Sequence, residues 1–240
     1  MEFLIITLFA VLAVTAQSQN ETEIDWSKVK PISEHPDLKT DRENHIPIHL
    51  SNGNRRIIGG RQASKSQFPY QAGIICTEAA VKYLGGGSLI SSTRVLTAAH
   101  NVRGVTSALV ILGAIYLSQK EPNQVIFNVP SSEMFCHPKY DPDTLYNDIA
   151  MIKLPSAVKF NNYISPIALP QGTNDYVGVT GVISGWGEFD EMKEQSKFLR
   201  YANMKVITNS KCEEEYDEII DSTLCALGVG DVIACVGDSG

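Results

Sequence analysis

The sequence predicts an all-β fold, and three observations carry that reading. Beyond Ile57 the apolar runs are short, they are rich in Val, Ile, Tyr and Phe, and each is bounded by Gly, Pro, Asn or Ser. The expected strands, in chain order, are Tyr70 to Ile75, Ser88 to Ser91, Val95 to Ala98, Ala108 to Leu112 and Val125 to Val129. Ile149 to Leu154, Val179 to Ser184 and Tyr201 to Ile207 follow. The exception is Ser210 to Tyr216, where Ser210 and Glu213 have the spacing of a capping box and predict a short helix. No internal repeat or low-complexity tract interrupts the pattern.

Composition fits a folded chain with a substantial core: 240 residues, 43% hydrophobic and 20% charged. The formal net charge of -7 provides no basic field for phosphate backbones or anionic lipid, so neither nucleic acid nor a membrane surface is an expected partner.

Phe3 to Val14 is an apolar run followed by Val14-Thr15-Ala16, the small and β-branched residues expected ahead of a signal-peptidase cut, here before Gln17. Glu2 is the only charged side chain before the run, so the amino terminus alone supplies the positive end. The run is shorter than the roughly 20 residues needed to span a bilayer. Residues 1–16 are therefore read as a signal peptide and the protein as secreted. In an oxidising compartment Cys76, Cys136, Cys212, Cys225 and Cys235 become disulfide candidates, and the odd count leaves one thiol over. Asn20-Glu21-Thr22 becomes a usable glycosylation sequon, placing a candidate glycan on Asn20.

Gln17 to Arg56 is rich in Glu, Asp, Lys, Asn and Pro, lacks sustained periodicity, and runs into the turn-forming Ser51-Asn52-Gly53-Asn54. It reads as a removable pro-segment. The dibasic Arg55-Arg56 sits in an accessible position before Ile57-Ile58-Gly59-Gly60, where a protease of basic or dibasic specificity could cut.

Three short strings then share one chain order: Thr97-Ala98-Ala99-His100, Asn147-Asp148-Ile149-Ala150 and Gly237-Asp238-Ser239-Gly240. Each alone is weak, since a lone His after a strand is usually structural and an Asp-Ser pair is usually a turn. Together, on an all-β pattern and behind Arg-Ile-Ile-Gly-Gly, they are hard to ascribe to chance. Gln67-Phe68-Pro69-Tyr70-Gln71, Gly86-Gly87-Ser88-Leu89-Ile90, His137-Pro138 and Ser184-Gly185-Trp186-Gly187 add to them. From Arg56 to Gly240 the chain resembles the trypsin/chymotrypsin family of serine proteases. Ile24-Asp25-Trp26-Ser27-Lys28-Val29-Lys30-Pro31 further resembles the pro-segments of insect chymotrypsin- and brachyurin-type enzymes.

The resemblance implies two antiparallel six-stranded β-barrels, the second incomplete because the sequence ends at Gly240, before the strands, pocket walls and helix that close it in the family. A chain lacking them is expected to fold poorly and to be inactive, unlike its full-length parent. It implies His100 as general base, Asp148 as its orienting carboxylate and Ser239 as nucleophile, with an oxyanion hole built from the backbone N–H groups of Gly237 and Ser239. It implies activation by cleavage after Arg56, the new amino group of Ile57 pairing with Asp238. Ile233, six residues before the nucleophile, would floor the primary pocket; it cannot pair with a cation and favours apolar substrate side chains. Cys212 and Cys225 match a family disulfide, and Cys235 matches a cysteine whose partner lies beyond Gly240.

Two departures stand out. A family disulfide beside the active site is replaced by Gly85 and Asn101, so a less firmly held His100 is expected. Cys76 and Cys136 fall outside the family set and either pair as a substitute staple or remain as small buried hydrophobes. No cofactor or metal is expected, the five histidines lacking ligand spacing. Expected partners are protein or peptide substrates, an activating protease and protein protease inhibitors. The expected product is a monomeric secreted endopeptidase of gut lumen or saliva, the alternative being an inactive homologue that binds a partner without cutting it.

Overall fold

The computed structural model describes residues 24–35, 60–187, 195–214 and 219–230. Twelve strands are assigned there: β1 Val29–Pro31, β2 Arg61–Gln62, β3 Gln71–Glu78, β4 Val81–Ser91, β5 Arg94–Thr97, β6 Ser107–Leu112, β7 Val125–Pro130, β8 Met134–Cys136, β9 Ala150–Lys153, β10 Thr180–Gly185, β11 Arg200–Ile207 and β12 Cys225–Gly228. The two short helices are α1, Ala99–Val102, and α2, Asn209–Cys212.

The first sheet has the order β7-β6-β3-β4-β5-β9-β8, with every neighbouring pair antiparallel. Its two outermost strands are consecutive in the chain, joined only by the 3-10 turn Ser131–Glu133. The sheet must therefore curl until β7 and β8 meet at that turn, and as one bent strand they give the six expected of the first barrel. Its interior is filled by Ile74, Leu89, Val95, Val110, Leu112, Val129, Ile152 and Ile164, all fully buried. The second sheet has the order β10-β11-β12, with β2 paired to β11. β11 alternates, burying Ala202, Met204 and Val206 and turning Asn203 and Lys205 outward.

A second core lies where the sheets meet, built from Ile75, Leu84, Ile111, Ile115, Trp186 and Leu199. Because β3 has this core on one face and the barrel interior on the other, Gln71 to Cys76 are all buried and lack alternation. Side-chain bonds cross the junction: the Trp186 indole N–H donates to Ile115 O at 2.9 Å, and the Ser184 hydroxyl to Gln71 Oε1 at 2.6 Å.

The structure corrects three expectations. β4 begins at Val81 rather than Ser88 and runs straight through Gly85-Gly86-Gly87. A Cβ on Gly87 would lie 2.8 Å from Ile74 Cδ1 and 2.9 Å from Leu96 O, so this glycine allows close strand packing rather than a turn. The short helix starts two residues earlier than the Ser210 spacing implied, because the Thr208 hydroxyl accepts the Lys211 N–H at 3.2 Å and serves as N-cap. Finally, Ile24 to His35, where no strand was expected, packs on the first barrel: β1 runs parallel to β4 with Val29 opposite Lys82 and Pro31 opposite Leu84. Val29 and Ile32 there are buried, two apolar residues too few to produce a periodic signal.

Candidate active site

Strand register brings the first two candidate residues together. β5 pairs antiparallel with β9, Thr97 facing Ala150, so the exit of one strand and the entry of the other share one end of the sheet. His100 comes three residues after Thr97, in α1, and Asp148 two residues before Ala150. Asp148 Oδ2 lies 2.6 Å from His100 Nδ1, and Asp148 Oδ1 accepts the His100 backbone N–H at 2.9 Å. The carboxylate thus holds both the ring and the backbone of one residue, which fixes the ring plane.

The electrostatic consequence follows from donor and acceptor chemistry. A carboxylate only accepts, so the imidazole proton resides on Nδ1 and the Nε2 lone pair is left bare. His100 Nε2 is buried with no hydrogen-bond partner among the described residues. The His100 side chain is 9% exposed and that of Asp148 21%, so the pair is largely withdrawn from water. A buried imidazole with a free acceptor nitrogen, oriented from behind by a carboxylate, can take a proton from a hydroxyl brought against it.

Asp148 is delivered by a strained loop. Asn147 sits at φ 58°, and its side-chain amide donates to Lys139 O at 2.9 Å. Asn is among the residues that tolerate this left-handed region, which explains its place immediately before the acidic residue.

The position of the missing family disulfide is occupied by a polar network. The Asn101 amide donates to Thr97 Oγ1 at 2.9 Å, and the Thr97 hydroxyl donates to Gly86 O at 2.7 Å. Asn101 is fully buried, and a Cβ on Gly85 would come within 2.7 to 2.9 Å of its amide atoms. Gly85 is thus the space into which Asn101 fits, and hydrogen bonds from Asn101 to Gly86 O and Thr97 Oγ1 tie α1 to β4 and β5 at the place of the lost bond. Sequence reasoning noticed these residues as losses and missed what they build. Thr97 and Asn147 stood at the head of the His100 and Asp148 strings without being assigned a role of their own.

Cys212 and Cys225 are joined, with Cα atoms 6.2 Å apart, tying α2 to β12. Cys76 and Cys136 are free, which settles the two alternatives in favour of unpaired thiols. Burial pushes the Cys76 thiol up to about 12. Burial also raises that of Cys136, which the Arg103 charge lowers and the Asp148 charge raises. Ser239, Gly237, Asp238, Ile233, Cys235, Arg56, Ile57 and Asn20 lie outside the described residues.

A curled antiparallel barrel, a second β-sheet packed against it and a His–carboxylate pair at the strand ends define the class. The chain belongs to the trypsin family of serine proteases: residues 57–240 match the family described as Trypsin. It is 37% identical over 191 residues to a collagenase of Hypoderma lineatum, covering 77% of this chain and 70% of that protein. It is 34% identical over 185 residues to a brachyurin of Leptuca pugilator, covering 77% and 79%. A solved structure of HL collagenase aligns with a TM-score of 0.68 at 35% identity, over 77% of this chain and 79% of that one.

Proposed function

We propose that this chain is the precursor of a secreted serine endopeptidase in which His100, Asp148 and Ser239 form the catalytic triad. The observation that carries the proposal is the double hold of Asp148 on His100, which leaves Nε2 as a buried proton acceptor with no partner among the described residues. In this reading Nε2 takes the Ser239 hydroxyl proton as the oxygen adds to the scissile carbonyl. The N–H groups of Gly237 and Ser239 stabilise the oxyanion, and His100 returns the proton to the leaving amine. Water, deprotonated by the same nitrogen, then releases the acyl group from Ser239.

Residues 1–16 direct secretion, Asn20 carries a glycan, and residues 17–56 keep the enzyme inactive until cleavage after Arg56 frees the Ile57 amino group to pair with Asp238. Ile233 turns the primary pocket toward apolar side chains, giving chymotrypsin- or elastase-like substrates. The active form is a monomer that meets dietary or host proteins and protein inhibitors in gut lumen or saliva. The test is a fluorophosphonate probe on the protein before and after trypsin treatment. One equivalent on Ser239 is expected after cleavage, none with Ser239→Ala, and little with Arg55→Gln/Arg56→Gln. Failure of the cleaved protein to label would refute the catalytic reading in favour of a binding protein.

A further inference from the structure

β4 has two edges, and their use locates the N-terminal segment relative to His100. One edge pairs with β3 from Val81 to Ser88. The other holds β5 at Ser88 to Ser91 and β1 at Lys82 to Leu84. Between those two tenants the Asn101 side chain of α1 reaches β4, donating to Gly86 O at 3.4 Å and filling the space over Gly85. Along a single strand edge the order is therefore β5, the helical turn that carries His100, then β1, with Pro31 registered on the residue next to Gly85.

The segment is anchored by side chains as well as by its strand. Ile32 is 1% exposed and His35 3%. His35 Nε2 lies 2.6 Å from Glu78 Oε2, and its ring stands edge-on to Tyr83 with centroids 5.0 Å apart. Val29 belongs to the core between the sheets, and Ile24 and Trp26 pack against that core. The segment also braces itself through ion pairs from Lys28 to Asp25 at 2.8 Å and from Lys30 to Glu34 at 3.4 Å. None of these contacts involves the cleavage site, since Arg56 lies 21 positions beyond His35. A cut there removes a tether and leaves the anchors in place.

We propose that residues 24–35 remain bound after cleavage following Arg56, as a strand held non-covalently on the β4 edge. While bound they exclude extended polypeptides from the side of His100 and leave small substrates free. Addition of a strand to an open sheet edge is a general mode of peptide capture, and here the occupant is the protein's own pro-segment. Release of the peptide is then a second step of activation, separate from the cut. The consequence for activity rests on the activation reading above; the docking itself does not.

The two are tested apart. In the precursor, residues 43–49 are replaced by the recognition sequence of a site-specific viral protease, so that the chain can be opened without using Arg56. After that cut the N-terminal fragment is expected to co-elute with the protease body in size-exclusion chromatography, and to separate from it in the Val29→Asp/Ile32→Asp variant. Separation of the unmodified fragment overturns the proposal, whatever happens at Arg56. In a second arm, trypsin-activated enzyme stripped of its N-terminal fragment receives a synthetic peptide of residues 24–35. Casein cleavage is expected to fall at least about tenfold while hydrolysis of a single-residue anilide changes less than about twofold, and the Ile32→Asp peptide is expected to be inert. Equal effects on both substrates, or none, overturn the shielding. Absence of activity before peptide is added refutes the activation reading instead, and the elution result still decides the docking.

Discussion

Exchange of Asp148 for Asn separates geometry from chemistry at this site. The side chain is nearly isosteric, but it replaces two acceptor oxygens by one acceptor and one donor. If the remaining oxygen keeps the His100 backbone N–H, now accepted at 2.9 Å, the amide N–H₂ faces Nδ1 across 2.6 Å and drives the ring proton to Nε2. The base is then blocked by its own proton. If the amide turns over, Nδ1–H keeps an acceptor, but the N–H₂ meets the backbone N–H and a buried bond becomes a repulsion. The first arrangement keeps more hydrogen bonds, so the inactive tautomer dominates. The expected loss in kcat is about 10⁴, or about 5 kcal/mol of transition-state stabilisation, with KM nearly unchanged. The assay is steady-state hydrolysis of a chromogenic peptide by the activated enzyme, with urea unfolding as a control for integrity. A loss below about tenfold, or a loss confined to KM, would refute the role assigned to Asp148.

Three further perturbations follow from the same contacts. Gly85→Ala forces a methyl against the buried Asn101 amide and should destabilise the fold by about 1 to 3 kcal/mol in urea unfolding; Gly85→Cys with Asn101→Cys should restore stability, a disulfide over this loop contributing roughly 3 kcal/mol. Asn147→Val places a β-branched residue at φ 58° and removes a hydrogen bond, so the thermal midpoint should fall by several degrees, from about 2 to 3 kcal/mol, while Asn147→Gly should be milder. The Cys76 thiol is raised by burial from 9.0 to about 12, so the folded state keeps a proton that the unfolded chain loses. Its contribution to stability is complete below pH 9 and is lost as pH rises from 9 toward 12, at up to about 1.4 kcal/mol per pH unit. Urea midpoints of the wild type and Cys76→Ala should therefore converge between pH 8 and pH 10.5, and parallel curves would argue against a buried, neutral thiol.

What the sequence made legible was the part of the fold written in local pattern. The barrel strands at Tyr70, Ala108 and Val125 appear close to their expected limits, because β-branched runs closed by Gly, Asn or Pro report on backbone preference directly. The first half of β4 was hidden because its glycines resemble a turn, and only the close approach of Ile74 and Asn101 explains them as strand residues. β1 was hidden for a related reason: a three-residue strand whose burial comes from Val29 on one side and Ile32 beyond its end has no period to detect. His100 and Asp148 were singled out by motif and chain order, whereas Thr97 and Asn101 act through contacts between residues 11 and 15 positions from Gly86 that no local pattern announces.

The pairing of β5 with β9 links fold to site more tightly than the motifs suggest. His100 and Asp148 stand 48 positions apart in the chain, and their 2.6 Å contact is set by the single register in which Thr97 faces Ala150. A slip of two residues preserves which side chains face the core, so burial alone resists it weakly; it would nevertheless move Asp148 by about 7 Å along the strand. The register must then be fixed by something other than alternation. Val158 N bonds to Ser92 O and Leu154 N to Thr93 O beyond one end of the pair, while Asp148 bonds to the His100 backbone beyond the other. The carboxylate that orients the imidazole therefore also pins the strands that deliver it, which is why a backbone N–H takes one of its two oxygens.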